Sequence, residues 1–256
     1  MKRRCVFCGK GKVSHEHVIP SWIQKELPPP SLGGRIRHEI ETLRGPATFE
    51  TDAYAVTVKR VCRECNHGWM EREVEKPNQT LLPPMFRGEQ ISLTSAEQQH
   101  VATWAFKTHL MAQYRHIPFR PQPEEQLQWL YQNRTAAPKS RVWLAAFAGV
   151  PLHHAWGRTY AFELFAPAVP DVAPADVLYA EMMTLCVGQL VFQSFKWTGA
   201  VPEFDVGLPD ETAKFVLPIW PPSNVTLVWP PAFTLDTLES VRNFADAFVN
   251  TGEPPS

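Results

Sequence analysis

Cys62-Arg63-Glu64-Cys65-Asn66-His67-Gly68-Trp69-Met70, taken with the distant pair Cys5-Val6-Phe7-Cys8, is the stretch from which the fold of this chain can be read. Two thiol pairs at C-x2-C spacing suit one tetrahedral zinc ion, because each short loop presents two sulfurs to the same metal while the pairs lie far apart in sequence. A zinc bound there closes the first sixty-odd residues into one small unit. Gly9 and Gly11 follow the first pair and allow the tight turn that brings backbone amides close to the thiolates. The fifth cysteine, Cys186, stands in the apolar run Met183-Thr184-Leu185-Cys186-Val187 and reads as a small buried hydrophobe. An odd count with four cysteines in metal spacing fits a reducing compartment better than a disulfide framework.

Working outward, Ser14-His15-Glu16-His17-Val18-Ile19-Pro20 lies between the two pairs. It reads as a short strand that carries Glu16 and His17 and ends at Pro20. By alternation His15 shares a face with His17, and Glu16 joins them on one ion only if the strand bends; in a regular strand His15 is the rival ligand. Residues 31–52 read as a loop or irregular hairpin. Ala53 to Val61 is β-rich and delivers the chain to Cys62, after which Asn66 is a reasonable cap for a helix that stops at Pro77.

Prolines mark 77–93 as a linker. Thr94-Ser95-Ala96-Glu97 then has the form of a capping box and opens a long helix to about Tyr114, followed by a second from Glu124 to about Asn133. Beyond Pro138 the period changes to two. Strands are expected at Val142–Val150, Arg158–Phe165, Leu178–Leu185, Gln189–Phe195 and Val225–Trp229, with Gly188 at a turn, and a last helix over Leu235–Val249. The expected organisation is α+β: a zinc-stabilised ββα unit over 1–78, the linker at 79–93, and a larger α+β domain over 94–256 with helices and an antiparallel sheet.

Composition supports a folded chain. Of 256 residues, 44% are apolar and 20% charged, which argues against disorder, and the 25 prolines cluster between elements rather than forming a low-complexity tract. The net charge of −1 hides an asymmetry: residues 1–80 hold 14 Lys/Arg against 10 Asp/Glu, so the cysteine-bearing part is the basic part. A mild surplus of this kind favours a polyanionic partner only weakly. The basic start Met1-Lys2-Arg3-Arg4 leads into no apolar core of the roughly 7–15 residues found in signal peptides, and no apolar run reaches the roughly 18 residues of a membrane span, so a cytoplasmic protein is expected.

Why would a zinc clip be built around an acid, histidines and an asparagine? Hydrolysis of a phosphodiester needs a divalent ion to neutralise charge on the phosphate, a base for the attacking water and a positive surface for the backbone. Glu16 and Asn66 are hard oxygen ligands suited to Mg²⁺ or Mn²⁺, and the imidazole of His17 is the natural base. In their order, Cys5-x2-Cys8, Glu16-His17-Val18-Ile19-Pro20 and Cys62-x2-Cys65-Asn66 resemble the four-cysteine branch of the HNH endonucleases over about residues 5–76. The resemblance implies a ββα-metal fold in which Cys5, Cys8, Cys62 and Cys65 hold a structural zinc. It further implies Glu16 and Asn66 as ligands of the catalytic ion, His67 as the alternative to Asn66, and His17 as general base, with Lys59, Arg60 and Arg63 against the nucleic-acid backbone.

It departs from that pattern in two places. Where these nucleases usually carry an asparagine that braces the loop bearing the base, this chain reads Ala55-Val56-Thr57-Val58-Lys59-Arg60, with Thr57 the nearest polar residue. The lysine often found three residues after Asn66 is replaced by Trp69, which in this chain reads as a packing residue. The expected function is thus endonuclease action on nucleic acid, double-stranded DNA before RNA. The rival, from another class, is a zinc-dependent nucleic-acid-binding or protein-interaction module without catalysis.

Overall fold

The computed structural model describes residues 4–27, 35–42, 45–52, 55–116, 124–149, 152–164, 178–199, 208 and 210–247. In chain order the first half comprises strand β1 (Val13–His17), the short helix α1 (Ile23–Glu26), a hairpin of β2 (Arg35–Thr42) and β3 (Gly45–Asp52), strand β4 (Thr57–Cys62) and the single turn α2 (Arg63–Cys65). A wide, π-type helical segment over Asn66–Glu75 continues α2 and breaks helical geometry at Gly68, where ψ is −110°. Helix α3 (Lys76–Phe86) follows without an intervening loop.

The second half begins with β5 (Ile91–Leu93), the 22-residue helix α4 (Ser95–His116) and α5 (Glu124–Asn133). Then come strands β6 (Ser140–Ala146), β7 (Leu152–Leu164), β8 (Leu178–Gly188) and β9 (Leu190–Thr198), helix α6 (Asp210–Ala213), strands β10 (Val216–Trp220) and β11 (Leu227–Trp229), and helix α7 (Leu238–Asp246). Helices and strands mix as an α+β chain. Among the described residues no helix is long and apolar enough to cross a membrane.

β1 pairs antiparallel with β4, and a five-stranded antiparallel sheet has the order β10-β6-β9-β8-β7. The period of two in β6 explains how that sheet sits between layers. Val142, Leu144 and Ala146 join the apolar cluster shared with α4, whereas Trp143, Ala145 and Phe147 join a second cluster with Val241 and Phe244 of α7. Thr94 begins α4 as expected: the Glu97 carboxylate accepts from the Thr94 backbone N–H and hydroxyl at 2.7 Å each, and the Glu97 N–H donates to Thr94 Oγ1.

Gly188 makes the β8–β9 turn with φ +60°, again as expected, and a Cβ there would sit 2.5 Å from the Phe86 carbonyl oxygen. Helix α7 is capped by Thr237, inside the span expected from Leu235, with a reciprocal Thr237–Ser240 capping box.

The observed course departs from the expected one in the linker and in the sheet. Residues 77–93 are not a linker: Pro77 falls in the first turn of α3, where its missing N–H is no loss, and Leu82, Met85 and Phe86, spaced for one helix face, are at most 1% exposed. Strand β10 went unpredicted because it contains Pro218, yet β10 is an edge strand of its sheet, the place where a strand tolerates proline. The expected division into two domains also meets a continuous core, since one apolar cluster runs from Cys5 and Phe7 through Met70, Phe86 and Trp104 to Phe192 and Trp229.

A four-cysteine cluster and the open face of the β1–β4 pair

The ligand atoms of Cys5, Cys8, Cys62 and Cys65 all lie within 4.8 Å of one another. The first pair sits on a turn built by Gly9 and Gly11, at φ +67° and +72°, with the Gly9 N–H donating to the Cys5 carbonyl at 2.9 Å. Cys62 ends β4 and Cys65 lies in the next helical turn. The Val6 N–H donates to the Arg60 carbonyl at 3.0 Å and ties the first knuckle to the second.

Does a metal fit? Zinc–thiolate bonds of about 2.3 Å at tetrahedral angles put sulfurs about 3.8 Å apart. Cys8 Sγ and Cys62 Sγ are 3.6 Å apart. Burial pushes the Cys62 and Cys65 thiols up. On Cys5 burial pushes the same way but is outweighed by backbone hydrogen bonds from Cys8, Cys62 and Phe7, which hold that thiol below its ordinary value. A buried set of this kind ionises together only around a cation. The four-cysteine cluster can hold a metal such as zinc.

The β1–β4 register decides where the remaining candidates point. Ser14 faces Val61 and Glu16 faces Val58, so two steps along β1 match three along β4, and the extra residue falls at Lys59–Arg60. The Arg60 carbonyl that serves Val6 lies in this bulge. Glu16, opposite buried Val58, turns into the core, and His17, opposite Thr57, lies on the other face. Glu16 and His17 thus sit on opposite faces of β1.

Glu16 has a partner inside. Lys107 Nζ, on α4, donates to Glu16 Oε1 at 2.8 Å and to Glu75 Oε1 at 2.9 Å. Side-chain exposure is 0% for Lys107, 4% for Glu16 and 15% for Glu75. Burial acts to lower Lys107, but the two carboxylates overcome it and hold the ammonium above its ordinary value. With two acids sharing one cation, burial pushes Glu16 up, and the attraction of Lys107 offsets this only in part.

On the open face, Asn66 Nδ2 donates to the His15 carbonyl at 3.3 Å, and His15 Nδ1 lies 3.2 Å from Thr57 Oγ1. Asn66 therefore braces β1 from the helix side, and Thr57 contacts His15. His17 is half-buried there. His67 is exposed and pairs with Glu71 at 3.3 Å. Among the described residues the four cysteines are the one set of three or more His, Cys, Asp or Glu side chains that converge on a point. Glu16, His17 and His67 do not. A hard-ion site built on Glu16 does not fit this arrangement, because its carboxylate serves Lys107 in the core.

Of the cations expected against nucleic acid, Lys59 and Arg63 are exposed. Arg60 is half-buried, with its guanidinium 5.0 Å over the Tyr114 ring on α4. Trp69 packs edge-on to Phe7 at 5.0 Å and to Tyr131 of α5 at 6.0 Å, with Arg134 4.4 Å above it. Sequence reading missed Lys107, although a lone lysine in the apolar run Val101–Leu110 signals a buried charge in need of a carboxylate.

No protein-family model, curated protein or solved structure matches the chain.

Proposed function

We propose that the zinc-clipped unit over about residues 5–76 is a phosphodiesterase of the HNH kind that acts on nucleic acid, DNA before RNA. The observation that supports this best is the course of the chain: an antiparallel β1–β4 pair runs directly into Cys62–Cys65 and a helix, whose first residue, Asn66, reaches back to the His15 carbonyl. That bond fixes the strand whose next outward residue is His17. An imidazole at this place is suited to take the proton of an attacking water near neutral pH.

Lys59 and Arg63, both exposed, supply positive charge for a phosphate backbone. The zinc would hold the two knuckles together and take no part in proton transfer. Nucleases of this kind use Mg²⁺ or Mn²⁺ as well, and we assign no step to that ion, since Glu16 is committed to Lys107.

A second reading, a zinc-dependent nucleic-acid-binding module without catalysis, is favoured by that same Glu16–Lys107 pair, which leaves the open face without its acid. Incubation of the zinc-loaded chain with supercoiled plasmid DNA and with RNA, in Mg²⁺ or Mn²⁺, separates the two. The phosphodiesterase cleaves and loses cleavage in His17→Ala; the binding module retards the nucleic acid and leaves it intact.

A further inference from the structure

We propose that Lys107 is a positioning residue for the open face, and that Glu16 is its buried anchor and not a metal ligand. For what His17 does, this rests on the phosphodiesterase reading; the coupling itself does not.

Lys107 stands in the middle of α4, with Val101, Ala102, Trp104, Ala105, Phe106 and Leu110 all at most 1% exposed. Its ammonium joins three elements: β1 through Glu16, the end of the π-type segment through Glu75, and α4 itself. An ammonium in such surroundings is tolerable only when its donors are met by carboxylates, and a carboxylate as buried as Glu16 only when it has a cation.

In a strand, adjacent residues face opposite sides. Seating Glu16 inside therefore fixes His15 and His17 outside. The β4 bulge at Lys59–Arg60 and the Asn66 bond to the His15 carbonyl act on the same strand. Release of Glu16 from Lys107 removes the inward hold on β1 from which the outward direction of His17 follows. The second region of the chain thereby sets the geometry of the first.

The test is a pairwise cycle in the full, zinc-loaded chain: Glu16→Met, Lys107→Met and the double variant. Glu75 is partly exposed and can turn to water once Lys107 is gone. Breaking a buried pair from one side lowers the unfolding midpoint by about 6–20 °C in a chain of this size, whereas replacing both partners by apolar groups is close to neutral. Each single variant is expected to show that loss, together with displaced ring resonances of His15 and His17 in histidine-labelled NMR spectra.

The double variant is expected to recover most of the midpoint, both resonances and, where the native chain cleaves, cleavage within about tenfold. Single variants that do not fold beside a double variant that does give the same support. Additive losses, a double variant that folds no better than the singles, or histidine resonances unmoved in Lys107→Met would overturn the proposal. So would a stable double variant with native histidine signals and no cleavage beside an active native chain, since that result makes Glu16 a ligand. If the native chain cleaves nothing, the phosphodiesterase reading falls, and the midpoints and resonances still decide whether Lys107 positions the face.

Discussion

Trp69→Ala attacks the seam between the four-cysteine knuckle and α5. Trp69 is 5% exposed and is touched from both sides: Phe7 of the first knuckle edge-on at 5.0 Å, and Tyr131 of α5 and Arg134 just beyond it at 6.0 and 4.4 Å. Truncation of a buried tryptophan costs about 3–5 kcal/mol through lost burial and the cavity left behind. Each aromatic pair adds roughly 0.5–1.5 kcal/mol and the Arg134 contact about 0.5–1 kcal/mol, partly counted already in the burial.

A loss of about 4–6 kcal/mol is the expected total, a large share of the 5–15 kcal/mol typical of a folded domain. Urea unfolding followed by circular dichroism, with zinc in excess, measures it. In the cycle with Tyr131→Ala, residues in contact should couple by about 1 kcal/mol or more. A loss under about 1 kcal/mol, or strict additivity with Tyr131→Ala, would refute the claim that knuckle and helices share one core.

Gly188→Ala should lower stability by more than about 2 kcal/mol, since φ is +60° and the new Cβ meets the Phe86 carbonyl at 2.5 Å; an unchanged thermal midpoint would show that the turn yields freely. Glu16 is raised above its ordinary value of 4.5 in the folded chain, so its proton contributes stability below that value, and the contribution fades as pH rises through the folded value. The advantage of the native chain over Glu16→Gln, read from urea midpoints, should therefore shrink as pH rises from 4.5; an advantage that grows would reverse the sign. Metal analysis should find about one zinc per chain, lost in Cys65→Ser together with protection of the β1–β4 amides from hydrogen exchange; full protection in metal-free protein would deny zinc its structural role.

The cysteine pairs were legible because a metal imposes local spacing, and the Thr94–Glu97 box and the Gly188 turn because capping and positive φ are local demands. Helix α3 was hidden by its prolines, although Leu82, Met85 and Phe86 carried the helical spacing. The direction of Glu16 is a different matter. It depends on a bulge in β4 that serves the Val6 amide, and on a lysine ninety-one positions away that only the packed α4 brings near. Sequence put Glu16 next to His17 and could not say that they face opposite ways except through strand alternation, which did favour His15 as the residue sharing His17's side.

Cleavage of supercoiled plasmid by the zinc-loaded chain, compared with His17→Ala under the same Mg²⁺ or Mn²⁺, tests the proposed function most directly. Nicking by the native chain and a loss of about 10²–10⁴-fold in the variant, with zinc content unchanged, are the expected results. A His17→Ala variant that cleaves as fast as the native chain would contradict the proposed function, as would a native chain that binds the plasmid and leaves every strand whole.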